Sequence, residues 1–179
     1  MVCALRHGCA SDRENDVSDG AIDSADFRRV LGHYPTGVCV ITATGADGMP
    51  VGMVVGTFTS VSLDPPLVGF LPGKSSSSWP LIEASGKFCV NVFASNQMAA
   101  CRQLAGRGPD KFAGVDYSFS ASGLPLIADC IAHIECALHA VQDAGDHWFV
   151  LGRVLAMDAG QGDPMLFFNG QYGGFAGGA

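Results

Sequence analysis

The stretch from Val51 to Trp79, VGMVVGTFTSVSLDPPLVGFLPGKSSSSW, does more than any other to limit the folds open to this chain. Val51, Met53 and Val55, then Thr57 to Leu63, are dense in β-branched and aromatic residues, which favour a pleated, half-buried surface. Asp64-Pro65-Pro66 stops that run, because neither proline has an N–H to give to a ladder. Leu67 to Leu71 reads as a second, more buried strand. Pro72-Gly73 turns the chain, and Trp79-Pro80-Leu81-Ile82 reads as the first turn of a helix, where proline is tolerated.

Strand signals recur on both sides. Asp23 or Ser24 caps a helix whose Phe27, Val30, Leu31 and Tyr34 share one apolar face, with Arg28 and Arg29 outward, and Pro35 ends it. Residues 37–44, GVCVITAT, form a strand; the turn GADGMP sends the chain back through Val51 as its antiparallel partner. Lys87 to Phe93 is another strand. Asn96 caps a second helix running to about Ala105, with Met98, Cys101 and Leu104 along one side. Residues 106–125 read as an irregular connection. From Cys130 to Val141 the chain alternates cleanly, with His133, Glu135 and His139 on the polar face. His147 opens the next strand, and Met165 to Phe168 is a last short one before the glycine-rich tail NGQYGGFAGGA. There is no internal repeat and no succession of βα units. A chain of 179 residues, 48% hydrophobic, is expected to form one domain. Its class is mainly β: a closed or partly open antiparallel barrel with a few helices. Residues 1–22 are polar and aperiodic and are expected to be a mobile N-terminal extension; 23–179 make the domain.

Charge and cysteine usage narrow the chemistry. With 10 Lys and Arg against 17 Asp and Glu, the net charge is −7. The chain lacks the basic stripe that a phosphate backbone requires, which argues against nucleic acid and anionic membranes as partners. No apolar run approaches the ~20 residues that span a bilayer. Seven cysteines, without CxxC spacing, suit reduced, structural thiols and the cytoplasm. Cys3, His7 and Cys9 find no partner pair at zinc spacing, so no metal is expected. Lys74 followed by Ser75 to Ser78 at a helix start suits an anion, or else a serine that only caps the helix. A nucleotide P-loop fails on spacing, since its first glycine would fall at Val68. Gly160 and Gly162 do not complete a dinucleotide fingerprint, no GxSxG elbow is present, and no carboxylate pair stands out. An enzyme built from these residues needs a bound organic cofactor to carry its reaction. Lys111-Phe112 is either a ligand clamp or a surface lysine beside a loop-pinning ring.

Seven segments together resemble the small flavin reductases that supply reduced flavin to two-component flavin-dependent monooxygenases. They are FRRVLGHYPTGVCVIT (27–42), GMVVGTFTSVSLDPPLV (52–68), KSSSSW (74–79), FCVNV (88–92), DKFAG (110–114), GDHWFVLGRV (145–154) and LFFNGQYGG (166–174). The resemblance implies a split β-barrel of Greek-key type with a few peripheral helices, dimerising with flavin near the subunit boundary. It places Pro35, Thr36, Gly37 and Val38 along the isoalloxazine edge. Thr57, Phe58, Thr59 and Ser60 line the ring and ribityl chain. Lys74, Ser75 and Ser78 approach the phosphate, and Lys111 and Phe112 the outer part of the flavin. His147 faces the nicotinamide as the catalytic residue, with Tyr172 closing that pocket. The implied activity is hydride transfer from NADH or NADPH to FMN or FAD, in a cytoplasmic homodimer serving a separate monooxygenase. The rival is a non-catalytic flavin-binding barrel for storage or sensing. One departure stands out: many relatives carry asparagine where this chain has Gly56.

Overall fold

The computed structural model describes residues 22–108 and 110–175. In chain order these form α1 (Ser24–Leu31), β1 (Thr36–Gly37), β2 (Cys39–Thr44), β3 (Pro50–Val55), β4 (Thr59–Leu63), β5 (Pro66–Phe70), α2 (Trp79–Ser85), β6 (Lys87–Val92) and α3 (Met98–Ala105). Then follow β7 (Tyr117–Phe119), β8 (Pro125–Ile127), β9 (Ala132–Ala144), β10 (His147–Ala159), β11 (Met165–Phe168) and β12 (Gln171–Gly174). The expected extension lies outside the described residues except for Ile22, as do Cys3, His7 and Cys9.

Seven strands make one antiparallel sheet in the order β3-β2-β6-β9-β10-β5-β4. Its edges, β3 and β4, are consecutive in the chain yet unpaired, so the sheet is split where Gly56 to Phe58 pass between them. One core nevertheless gathers Ile41 of β2, Val55 of β3, Phe70 of β5, Phe88 of β6, Cys136 of β9 and Val150 of β10. Residues from both ends of the strand order can meet only if the sheet curls around them. Trp79 and Ile82 of α2 enter the same core, and the Phe70 ring stands edge-on to Trp79 and Phe88 at 5.8 and 5.3 Å.

β2 is buried on both faces because alternate side chains enter different cores. Ile41 joins the first, while Val38 and Val40 join a second with Phe93, Met165 and the α3 residues Cys101 and Leu104. A buried amide ties the layers together. Asn91 Nδ2 donates to Thr42 Oγ1 at 2.9 Å, its Oδ1 accepts from the Ile127 N–H at 2.8 Å, and Thr42 Oγ1 donates to the Pro125 carbonyl at 2.6 Å.

Several local expectations change. Asp23 caps α1 as anticipated, accepting from Ala25 and Asp26 N–H at 3.2 Å. Among the described residues the apolar face of α1 is left largely uncovered: Phe27, Val30 and Leu31 are more than half exposed and Tyr34 is 74% exposed. Gln97 rather than Asn96 stands at the start of α3, and its side chain bonds Ala94 N–H and the Ala128 carbonyl instead of capping. The 106–125 connection is not wholly irregular, since β7 pairs with β8. His133, expected on an exposed face, is half-buried with Nε2 2.9 Å from the Ile127 carbonyl. The tail turns at Asn169-Gly170, both at positive φ (47° and 78°), and returns as β12 along β11.

Candidate functional site

β3 is an edge strand, and two-residue spacing puts Gly52, Val54 and Gly56 on one side over roughly 13 Å of extended chain. Three cavities follow them. The first, about 230 Å³, is bounded by Gly52, Ser77, Ser78, Lys111 and Phe112. The second, about 210 Å³, is bounded by Val38, Val54, Gly56, Phe167 and Tyr172. The third, about 220 Å³, is bounded by Tyr34 to Gly37 and Gly56 to Thr59.

In the first cavity the serine run divides its work. Ser76 Oγ accepts from the Trp79 N–H at 3.2 Å, a cap for α2. Ser78 precedes the helix but makes no cap; its buried hydroxyl instead accepts from Lys111 Nζ at 3.0 Å. Lys111 Nζ also reaches the Gly52 carbonyl at 3.4 Å. Burial holds the Lys111 ammonium below the ordinary lysine pKa. The cap therefore falls on Ser76, while the Ser78 hydroxyl is taken up by Lys111. Phe112 closes over Gly52, where an added Cβ would stand 3.2 Å from its ring.

At the third cavity, Pro35, Thr36 and Gly37 meet Thr57, Phe58 and Thr59, six residues drawn from two segments of the predicted site. A Cβ on Gly56 would stand 2.8 Å from Thr36 Oγ1, so any larger residue there requires Thr36 to turn aside. The Thr57 hydroxyl is held by main chain, accepting from the Leu71 N–H at 2.9 Å. What Thr57 offers the cavity is therefore its backbone. Ser60 is exposed on β4 opposite Val68, outside the cavity lining. Val38 and Tyr172 line the middle cavity, the tyrosine's pKa raised by burial.

Lys74 and His147 form a separate cluster. Gly73 bridges His147, the Lys74 N–H donates to the Asp146 carbonyl at 2.9 Å, and Trp148 N–H to the Pro72 carbonyl at 2.9 Å. The Lys74 ammonium pairs with Asp143 and lies 4.6 Å from the centre of the Trp148 ring. His147 Nδ1 sits 2.7 Å from Asp146 Oδ1, and its Nε2 edge lies beside Gly73, 3.7 Å from where a Cβ there would be. Asp146 is held below the usual carboxylate range by that hydrogen bond, and Asp143 by the one from Lys74. Thr57, through Leu71, connects this cluster to the third cavity. Ser75 is exposed and lines none of the three cavities.

Sequence reasoning missed Gly52 as a wall and Asp143, Asp146 and Trp148 as supports. An acid directly before His147 was a readable signal; Asp143 and Trp148 become partners of Lys74 only through the pairing of distant segments. Among the described residues, no group of three or more His, Cys, Asp or Glu side chains could hold a metal ion.

The family model for the flavin reductase like domain matches residues 31–176. A flavin reductase from Pseudomonas putida is 52% identical over 162 residues, 90% of this chain and 95% of that protein. HsaB, the reductase subunit of a flavin-dependent monooxygenase from Rhodococcus jostii, is 48% identical over 88% of this chain and 81% of its own length. Among solved structures, the Streptomyces globisporus C-1027 NADH:FAD oxidoreductase SgcE6, in complex with NAD and FAD fragments, is similar with a TM-score of 0.81. It is 40% identical, and the match covers 86% of this chain and 93% of that one.

Proposed function

The chain belongs to the flavin reductase like domain family, and on that premise we propose that it is an NAD(P)H:flavin oxidoreductase whose catalytic unit is residues 23–179. It takes FMN or FAD and NADH or NADPH. With both bound, the nicotinamide supplies a hydride from C4 to flavin N5. That chemistry asks for held rings and excluded water, with no protein nucleophile.

The observation that carries this reading is the run of cavities along the Gly52–Gly56 side of β3. A flat heterocycle with an anionic tail suits such a row of cavities: one cation at one end, main chain and small residues at the other. Lys111 and Ser78 hold the phosphate. Phe112 covers the outer part, Val38 and Tyr172 flank the middle, and Pro35 to Gly37 with Thr57 to Thr59 border the ring. Main-chain N–H groups there stabilise negative charge on the reduced ring. His147, steadied through Nδ1 by Asp146, positions the nicotinamide. Lys74 serves as a strut for the His147 hairpin, because its ammonium is already held by Asp143 and Trp148.

A second copy of the chain covers the apolar surface this one leaves open, in a homodimer. The α1 face, Leu63 at 92% exposure and Met157 at 76% support that reading. Reduced flavin then leaves for a separate flavin-dependent monooxygenase. Five described cysteines, buried and unpaired, support a reducing compartment, the cytoplasm. No helix of the described residues is long and apolar enough to cross a membrane.

The test pairs NADH and NADPH with FMN and FAD under anaerobic conditions. Nicotinamide oxidation with bleaching of the flavin band is expected in at least one pairing. Flavin binding without oxidation in any pairing would favour the storage or sensing barrel instead. His147→Ala should raise KM for the nicotinamide several-fold with flavin affinity retained; unchanged kinetics would remove His147 from the mechanism.

A further inference from the structure

Beside the Lys111 end of this row lies a fourth cavity that the mechanism does not use. It encloses about 290 Å³ and is lined by Arg102, Arg107, Lys111 and Asp110, with Gln103 and the glycines 106 and 108. Three of the chain's 10 basic residues converge here against one carboxylate, in a protein of net charge −7. Arg102 sits in the last turn of α3, where a cation answers the helix dipole. That accounts for one arginine and leaves Arg107 and the cavity between them unexplained. Two hydrogen bonds tie its backbone: Gln103 Nε2 donates to the Asp110 carbonyl at 3.1 Å, and the Gly106 N–H to the Gln103 carbonyl at 3.2 Å. Among the described residues neither Arg102 nor Arg107 is ion-paired. Lys111 and Gly108 line both this cavity and the one assigned to the flavin phosphate, so the two adjoin.

We propose that Arg102 and Arg107 form a subsite for the adenylate end of FAD, and that they make this enzyme prefer FAD to FMN. The inference rests on the flavin reductase reading and on Lys111 as the phosphate anchor. A flavin held at Lys111 by its first phosphate ends there if it is FMN. FAD continues with a second phosphate and an adenosine, and the adjoining space is the one lined by Arg102 and Arg107. Guanidinium is suited to a phosphate because its planar fork gives two parallel N–H donors. The nicotinamide is assigned to the His147 cluster, whose residues do not line this cavity.

The test is equilibrium binding, read from quenching of flavin fluorescence, for FAD, FMN and riboflavin with wild type, Arg102→Gln, Arg107→Gln and the double variant. Wild type is expected to bind FAD about tenfold more tightly than FMN, with each exposed cation contributing a few-fold. The double variant brings the two affinities together by weakening FAD alone, and added salt narrows the wild-type gap in the same way. Retained FMN binding shows that the variants fold. FAD affinity unchanged in the double variant overturns the proposal, as does an equal loss for FMN, or an effect confined to KM for NADPH. A wild type that binds no flavin at all overturns the underlying functional reading and the subsite together.

Discussion

Removing the Lys111 ammonium should discriminate between flavins by their phosphate. Lys111 Nζ has two acceptors in the protein, Ser78 Oγ at 3.0 Å and the Gly52 carbonyl at 3.4 Å, and stands in a half-buried position at the cavity wall. A hydrogen bond to a charged group contributes about 1.5–3 kcal/mol. Lys111→Met should therefore weaken FMN binding by roughly 10- to 100-fold. Riboflavin, which lacks the phosphate, should change by less than about twofold, since methionine preserves the apolar stem against Phe112. Ser78→Ala removes a hydroxyl that can itself donate to the phosphate and should cost FMN less, with the two substitutions non-additive because they share a contact. Fluorescence-quench titration of FMN and riboflavin across the double-mutant cycle reads all of this. The pH dependence follows from the same group. Binding needs the ammonium, and burial lowers its pKa from 10.5. FMN affinity should therefore begin to fall at a lower pH than an ordinary lysine would dictate, while riboflavin affinity stays flat. Equal losses for FMN and riboflavin in Lys111→Met would refute the argument, because Lys111 would then be shaping the cavity rather than meeting a charge.

Three other perturbations probe different parts of the structure. Lys74→Met should leave FMN affinity within about threefold while raising KM for the nicotinamide, because it frees the hairpin that carries His147; a large loss of FMN affinity would return Lys74 to the phosphate. Gly152→Ala should lower Tm by roughly 3–10 °C in a thermal melt, as overpacking typically costs 1–3 kcal/mol. Its Cβ would stand 2.4 Å from the Phe88 ring and 3.0 Å from Cys136 Cβ, and Phe88 is buried against Phe70. Gly173→Ala, with nothing within 4 Å of its Cβ, is the control. The described thiols should resist iodoacetamide at pH 8 until urea unfolds the chain: burial pushes Cys39, Cys89, Cys130 and Cys136 up to about 12 and raises Cys101. Rapid native alkylation of any of them, read by peptide mass spectrometry, would contradict that burial.

Strand identity was legible because alternation and turn chemistry are local. The prolines at 65 and 66 and the turn before Val51 mark strand ends that the structure keeps. What depends on distant segments was not. Periodicity shows that α1 has an apolar face; it contains no term for what covers that face. Four serines in a row cannot announce which of them caps α2, because the answer lies in Lys111, 33 residues from Ser78. The sequence shows Lys74 beside hydroxyls; the β9–β10 hairpin, bridged to Gly73 at His147, brings Asp143 and Trp148 to it. The β11–β12 hairpin is a different kind of miss. Asn169-Gly170 is a strong turn signal, obscured by the glycines that follow it.

The row of cavities also bears on why a reductase of this kind would let its product go. Gly52 and Gly56 flank Val54 on one side of β3, so contact there falls to a single valine, the main chain and neighbouring rings. The single lysine at the phosphate end is not waiting unpaired: it already meets Ser78 and the Gly52 carbonyl. On the proposed role of Lys111, phosphate binding would be an exchange of partners, whose net gain is smaller than the same contact made by an unsatisfied ammonium. Such an exchange predicts modest flavin affinity, which suits a reductase whose product must leave, because a flavin held at nanomolar strength would leave too slowly to serve a second protein. Ser78→Ala tests the point from the other side. If loss of the hydroxyl tightened FMN binding, the hydroxyl would be a competitor for the ammonium; if it weakened binding, as expected above, the hydroxyl contributes its own bond to the phosphate and the brake on affinity rests with the Gly52 carbonyl.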